Sequence, residues 1–392
     1  MPVDFQDLQQ QVKKWGETAP LREQDLNQRR KNSLATLHAQ AAQLDALTQL
    51  VRQAVGVNPG LRCAVPAGEP LDAAFPLPAQ AGEGVILAAD GSQINPDRHA
   101  AVQFCVINVG VFEFRLGPAS LPREIISSRL LAEDELYTAN GLITEEIVAL
   151  DRDLSERTVL ADLASQTASP VTTLTDGPLE LFTDRGSRDT PEFQRRFQEY
   201  LDVLSRLAGL GVITAGYVDK PRGDLVIRLL ELVQLKADLR RAGRERPFLG
   251  VTDADLFRGL LQPGERSAVF AIQSSSAEYF RGELALHFFY LNVGRPERPW
   301  IARTEIPGWV AENPDMLARL HAVLATQARM MGSRPYPYVL HRAHEVAVVS
   351  LAEKDQLEQM IIAEMYRRGV PVGEKSYKQS HKDLEGRTRY QR

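Results

Sequence analysis

Two short apolar runs, each closing on an Asp-Gly pair, constrain this chain more than any other feature of it. The first is Gly84-Val-Ile-Leu-Ala-Ala-Asp90-Gly91 and the second is Val171-Thr-Thr-Leu-Thr-Asp176-Gly177. Apolar runs of this length, bounded by glycine or proline, read as buried strands. A glycine directly after each aspartate lets the backbone turn and leaves a carboxylate at a strand tip. Between them, Ala100 to Val109 and Gly110 to Leu116 read as second and third strands. Thr144 to Ala164 reads as a helix, with Ile147, Leu150, Leu154 and Leu160 apolar. After the second run come a helix from Thr190 to Leu207, opened by a Thr-Pro cap pair, and a fifth strand from Gly211 to Tyr217. Three strands, helix, strand, helix, strand predicts a mixed α/β sheet flanked by helices. In that order the first and fourth strands can lie side by side, so that their aspartates converge.

The flanking regions read differently. Residues 5 to 55 are helical, and Leu34, Leu37, Ala41, Leu44, Thr48, Val51 and Val55 form one apolar seam at alternating three- and four-residue steps. The seam serves either a coiled-coil arm or ordinary packing. Residues 57 to 83, with Asn58-Pro59-Gly60, Pro66, Gly68, Pro70, Pro76 and Pro78, read as a linker. Residues 224 to 310 mix helix and strand, with strand-like Ala268 to Ala271 and Leu284 to Leu291. A last helix runs from Pro337 to about Arg368. The domain reading is an N-terminal helical region at 1–56, a linker at 57–83, and one α/β domain at 84–392 with an insertion at about 224–310. No internal repeat or low-complexity tract is present.

Composition narrows the function classes. The net charge of −5 over 392 residues argues against a passive nucleic-acid binder, which is usually basic. Contact with a polyanion must then come from local basic stretches, of which Gln28 to Lys31, Lys236 to Arg246 and Lys375 to Arg392 are candidates. No apolar run of about 18 residues predicts a membrane span, and Met1 to Leu21 lacks the apolar stretch of a secretory signal. Two cysteines, Cys63 and Cys105, make no disulfide framework and fit a reducing cytoplasm, the expected location.

The candidate chemistry rests on carboxylates. Asp90 and Asp176 sit at strand ends, and Glu156 lies on the intervening helix. Alone, each Asp-Gly is a turn former and Glu156 belongs to a solvated helix face; the combination is what points to a site. Convergent carboxylates repel one another unless a cation joins them. Hard oxygen ligands favour Mg²⁺ or Mn²⁺, and two such ions roughly 3.5–4 Å apart can clamp a scissile phosphate. His344, in Tyr338-Val-Leu-His341-Arg-Ala-His344-Glu345, is a candidate ligand or proton carrier. His341 competes with it, since residues three apart are helix neighbours. Lys220 and Arg222, after the fifth strand, are candidates for holding a phosphate, as is the loop Gly264 to Ser267; each is equally a charged turn.

Taken together, Ala-Asp90-Gly91-Ser92, Thr-Asp176-Gly177-Pro, Gly216-Tyr-Val-Asp-Lys220-Pro-Arg and Pro337 to His344 resemble the NurA nuclease family over about residues 84 to 350. The resemblance implies an RNase H-like fold and manganese-dependent cleavage of DNA, with Mg²⁺ as a possible substitute and two ions expected. It implies a homodimer working with a HerA-type hexameric translocase in end resection at double-strand breaks, by 5′–3′ exonuclease and single-strand endonuclease action. It assigns metal binding to Asp90, Glu156, Asp176 and His344, and a catalytic role to Lys220. Glu145 and Glu146 stand upstream on the same helix as alternatives to Glu156. Two other functions compete: a weak or inactive adaptor of the same fold that docks on the translocase, and a small-molecule phosphate-ester hydrolase. The lack of a Gly-rich phosphate loop or a His-rich cluster disfavours the hydrolase.

Overall fold

Alternating apolar runs and helical periodicity resolve, in the computed structural model, into the following elements in chain order. Residues 3–79, 82–117, 121–138, 141–167, 170–181 and 190–373 are described. Helices α1 (Phe5–Gln40) and α2 (Leu44–Val57) precede short strands β1 (Cys63–Pro66) and β2 (Ala74–Phe75). The long strands β3 (Gly84–Ile94), β4 (Cys105–Leu116) and β5 (Arg123–Leu131) follow, then the small hairpin β6 (Tyr137–Thr138) and β7 (Gly141–Leu142). Next come α3 (Glu145–Ser165), β8 (Val171–Asp176), α4 (Pro191–Gly209), β9 (Ile213–Val218), α5 (Leu225–Gln234) and α6 (Asp253–Arg258). Strands β10 (Arg266–Ser267), β11 (Phe270–Gln273), β12 (Leu286–Asn292) and β13 (Ile301–Pro307) lead into α7 (Gly308–Ala311), α8 (Pro314–Met330), α9 (Tyr338–Ala347) and α10 (Leu351–Arg367). These elements form two compact units. One comprises Met1–Ala81, Gly177–Glu180 and Ala215–Pro337; the other comprises Gly82–Asp176, Leu181–Thr214 and Tyr338–Arg392.

The second unit holds the predicted α/β core. β3 and β4 pair antiparallel from Gly84↔Leu116 to Ile94↔Val106, and β5 joins β4 antiparallel. β8 runs parallel to β3, from Val85↔Val171 to Ala89↔Thr175; a parallel neighbour needs a long crossover, which α3 supplies. Thr173 Oγ1 lies 3.0 Å from Thr214 Oγ1, placing the start of β9 beyond β8. The order β5-β4-β3-β8-β9 is RNase H-like, and the first and fourth predicted strands are neighbours.

Three details differ from the sequence reading. β3 runs straight through Asp90-Gly91 to Ile94, so no turn follows Asp90; a left-handed φ, +90°, occurs only in the second pair, at Gly177. The two strands expected at 100–109 and 110–116 are the single strand β4. Gly110 does not end a strand: a Cβ there would stand 2.4 Å from the Ala347 backbone nitrogen. Glycine inside a strand marks such an approach of another backbone. Finally, the C-terminal helix is divided into α9 and α10, because Ser350 and Glu353 form a reciprocal capping box that starts a new helix.

Successive residues on a strand face opposite sides, and this sorts the layers of the second unit. Ser92 and Asn108 face α9, and both donate to the Ala347 carbonyl, from Oγ at 2.6 Å and Nδ2 at 2.8 Å. Gly91 faces α3, where a Cβ would collide with Arg152 and Glu156.

In the first unit an antiparallel sheet runs β1-β11-β12-β13-β9. The stretch expected to be an irregular linker therefore contains β1, paired with β11, and β2, paired with β10. The N-terminal seam breaks after Gln40. Of its residues Leu37 of α1 and Val51 of α2 are buried, and α2 packs on a shifted face, Leu47, Val51 and Ala54, against α5 and β1. Phe257 stacks on Tyr290 at 4.8 Å and Phe270 on Phe288 at 5.6 Å between centroids. The buried Asp253 accepts from the Val226 and Ile227 amides at the start of α5 and from the Tyr290 hydroxyl. Burial lifts its pKa to about 6.

Seating α9 on the sheet through Gly110 has a measurable cost when disturbed. Gly110→Ala should lower unfolding stability by about 1–3 kcal/mol, because the obstructing atoms are backbone and cannot swing away. Gly56→Ala in α2, where a Cβ meets nothing within 4 Å, should leave stability unchanged or raise it by up to about 1 kcal/mol. Urea denaturation of both variants checks the pair.

Candidate active site

Asp90 stands opposite Gly110 in the β3–β4 ladder, on the face covered by α9. The Ala347 carbonyl is tied to that face by Ser92 and Asn108. His344, three residues earlier, lies on the same side of the helix, and its Nδ1 meets Asp90 Oδ2 at 2.6 Å. The second carboxylate oxygen accepts from the Gly91 amide at 2.9 Å. Against a carboxylate, Nδ1 donates, and in the neutral tautomer Nε2 carries the imidazole lone pair. The pair is accessible: the His344 side chain is 62% exposed and that of Asp90 18%. His341 instead places Nε2 3.6 Å from Glu345 Oε1.

Glu156 arrives from the other side. Thr144 caps α3 through the Ile147 amide, with Glu145 and Glu146 in the first turn, where acidic residues complement the helix dipole. Glu156, three turns on, is 4% exposed, and Gly91 leaves it room: its Oε1 lies 2.7 Å from where a Gly91 Cβ would be. Burial pushes the Glu156 carboxyl up to about 8; Arg157 opposes the rise, Asp153 adds to it, Arg152 opposes and Asp90 adds. Arg152 Nε lies 3.6 Å and an Arg157 nitrogen 3.5 Å from the carboxylate. Arg157 is itself buried, donating to the Asp153 carbonyl and to Thr175 Oγ1, with its guanidinium 5.1 Å from the Tyr200 ring centroid.

Asp176 is the exposed last residue of β8. It follows the Ala89↔Thr175 pair by one position, so it stands in register with Asp90. The second unit thus brings together Asp90, His344 and Glu156, with Asp176 on the adjacent strand. Among the described residues no group of three or more His, Cys, Asp or Glu side chains is arranged to hold a metal ion. Asp90 is turned to His344, and Glu156 to its arginines.

Lys220 belongs to the first unit. It is exposed after β9, with Nζ 4.9 Å from the Trp300 ring centroid. Arg266, in the loop considered for phosphate, is committed to Glu69 at 2.9 and 3.0 Å. The basic stretches at 28–31 and 236–246 are partly neutralised by Arg29–Asp25, Arg30–Glu23, Arg241–Glu245 and Arg246–Glu231 pairs. The stretch 375–392 lies outside the described residues. Positioning residues that sequence reasoning missed are Asn108, Gly110, Arg152 and Arg157; Gly91 and Ser92 lie in the motif at Asp90, but with Gly91 expected to turn the chain rather than to make room for Glu156. Gly110 carried a readable signal, a glycine inside a long apolar strand; Asn108, Arg152 and Arg157 carried none.

A family model described as NurA domain matches residues 84–349. The chain belongs to the NurA nuclease family. The match takes in Asp90, Glu156, Asp176, Lys220 and His344. Among solved structures this NurA chain is similar to the NurA nuclease from Sulfolobus solfataricus, at 11% identity, 83% of this chain and 94% of that chain, TM-score 0.49. It is also similar to the catalytic domain of human Endonuclease V, at 14% identity, 81% and 98% coverage, TM-score 0.31. Thermus thermophilus RuvC matches at 13% identity, 45% and 80% coverage, TM-score 0.15. No curated protein matches the chain at a significant level. No helix among the described residues is long and apolar enough to cross a membrane.

The raised Glu156 carboxyl gives a signed pH dependence. Its folded value, about 8, exceeds the ordinary 4.5, so folding favours the neutral acid. That contribution is complete below the ordinary value and is lost as the pH rises through the folded one. In EDTA, Glu156→Gln should therefore melt higher than the parent above about pH 8, by on the order of 3 °C, and level with it near pH 4.5. Calorimetry at the two pH values decides; equal melting at both would show that the buried charge carries no cost.

Proposed function

We propose that this chain is a divalent-metal-dependent deoxyribonuclease centred on Asp90, Glu156, Asp176 and His344. One observation carries the proposal: a carboxylate buried at Glu156 beside the Asp90–His344 pair. A buried carboxylate whose charge the nearby Asp90 further disfavours is an arrangement that a cation relieves. The donor set fits such an ion. Asp90, Glu156 and Asp176 offer hard oxygens suited to Mg²⁺ or Mn²⁺, and an imidazole nitrogen favours Mn²⁺. When bound, one or two ions supply Lewis-acid activation of water and charge stabilisation on the scissile phosphate.

The chain's own residues do the remaining work. Gly91 leaves space for Glu156 to reach the strand, and Arg152 and Arg157 hold its carboxylate when no ion is present. His344 Nδ1 orients the Asp90 carboxylate, while Nε2 is placed to ligate metal or to accept a proton. The seat of α9 on Ser92, Asn108 and Gly110 keeps that ring on Asp90. Lys220 serves a DNA phosphate. Family resemblance further supports 5′–3′ exonuclease and single-strand endonuclease action in end resection at double-strand breaks, a homodimer, and a HerA-type hexameric ATPase as partner. A C2 pair is the simplest clamp for a strand delivered by a motor.

A second reading, a catalytically weak adaptor on the same translocase, is favoured by the engagement of both carboxylates with His344 and arginine rather than with each other.

Oligonucleotide digestion in Mn²⁺, Mg²⁺ and EDTA separates the two readings. Cleavage should occur with either ion and stop in EDTA. Asp90→Ala and Asp176→Ala should each cut turnover by roughly a hundredfold or more and abolish the rise in melting temperature that Mn²⁺ gives the parent. Near-parental turnover in either variant would reject this site, and a parent inert in both metals would favour the adaptor. His344→Ala should lose roughly tenfold or more in Mn²⁺ and less in Mg²⁺; equal loss in both would assign it to proton transfer.

A further inference from the structure

The first unit carries a basic surface that the proposed centre does not use. Strands β12 and β13 are joined by a tight hairpin, Val293-Gly-Arg295-Pro-Glu-Arg298-Pro-Trp300. Arg295 and Arg298 face each other across it as an antiparallel bridge, exchanging both backbone hydrogen bonds at 3.1 and 3.0 Å. The hairpin is closed below by Asn292 Oδ1, which accepts from the Gly294 and Trp300 amides. Like charges directly opposite on a ladder destabilise it, so this pairing works against folding unless an anion meets it.

Trp300 fixes the surroundings. Its indole nitrogen donates to Asp219 at 2.9 Å, and two cations lie over its ring, Lys220 at 4.9 Å and Arg298 at 5.9 Å. Both are within the range of cation–π attraction, about 6 Å. The indole also lines two cavities. One, of 480 Å³, includes Arg295, Arg298 and Arg329; the other, of 270 Å³, includes Lys220 and Arg222. Lys220, Arg222, Arg295, Arg298 and Arg329 have no ion-pair partner among the described residues. In the stretches at 28–31 and 236–246, by contrast, Arg29, Arg30, Arg241 and Arg246 are paired. In a chain of net charge −5, a cluster in which cations without ion pairs outnumber the lining carboxylates Asp219 and Glu297 is the electrostatic footprint of a polyanion.

We propose that this Trp300-anchored surface is a track for the sugar–phosphate backbone of a DNA strand, a proposal that rests on the deoxyribonuclease reading above. The cations span two adjoining cavities, more than a single phosphate fills, and a repeating phosphodiester answers both. The ring is occupied by cations, so its role is to hold Lys220 and Arg298 in place rather than to stack a base. Recognition is then by charge and independent of sequence.

The test measures binding by the full chain in EDTA, where no cleavage occurs, to an oligothymidylate long enough to span both cavities, over a salt series. The variant R295Q/R298Q/R329Q keeps side-chain length, and its melting temperature confirms folding. If three phosphate contacts are lost, the slope of log K against log salt should fall by about 2, at about 0.7 per contact on a single strand, and affinity should drop uniformly across sequences. Trp300→Ala should lower the slope further by releasing Lys220. A folded triple variant with unchanged slope and affinity overturns the track, and if the parent still cuts DNA in Mn²⁺ the nuclease reading stands. Full competition by inorganic phosphate at equal phosphate concentration would assign the cluster to a free anion and also overturn the track. A parent that neither binds nor cuts DNA rejects both readings.

Discussion

The seating of α9 on the sheet of the second unit is the contact on which the candidate centre depends. Gly110 removes the side chain that would block the helix, and Ser92 and Asn108 hold the carbonyl at its C-terminal end. A helix end leaves carbonyls without partners, so two side-chain donors there satisfy a need of the helix and set its position together. One turn back, that position delivers His344 to Asp90 at 2.6 Å. A longer helix reaching on through residue 348 would not leave this carbonyl available. The capping box at Ser350 and Glu353 therefore belongs to the same device, since it ends one helix and starts another where the site requires it.

The opposite face of β3 is organised by charge. Glu156 and Arg157 are adjacent on α3 and both buried, an arrangement whose desolvation cost close pairing only partly offsets. Arg157 is held from every side by Asp153, Thr175 and Tyr200 and is a fixed positive charge. Glu156 is less well matched, as its raised pKa shows. A mismatch of this kind, beside an accessible carboxylate–imidazole pair, is where perturbed titration tends to mark function rather than architecture. In the first unit, by contrast, Asp253 is buried but saturated, with two amides and a phenol donating to it, and it reads as a structural cap.

The cations divide in the same way. Arg29 and Arg30 of α1 and Arg241 and Arg246 of the 236–246 stretch are drawn into local ion pairs, which at exposed positions contribute little but cancel part of the field a polyanion would feel. Those around Trp300 are held by an aromatic ring and a hairpin and outnumber the nearby carboxylates Asp219 and Glu297, so their field is only partly cancelled. Net charge alone, at −5, hides that separation.

Much of this was legible in the chain. The apolar runs ending in Asp90 and Asp176, the helix capped at Thr144 and the order of elements define the RNase H-like sheet, because strand and helix periodicities are local properties and a parallel neighbour demands a crossover between them. The motifs around those aspartates also placed the chain in its family. The tertiary structure decided what local signals cannot carry. It showed that Gly91 lies inside a strand and makes room for Glu156, that Gly110 lies inside another and makes room for a helix, and that His344 rather than His341 faces Asp90. It drew residues 63–66 and 74–75 into a sheet although their prolines and glycines read as linker, since their partners stand some two hundred residues away. It also set Trp300 against Lys220. Each of these depends on which distant backbone or charge comes within a few ångströms, and that distance is a property of the packed chain alone.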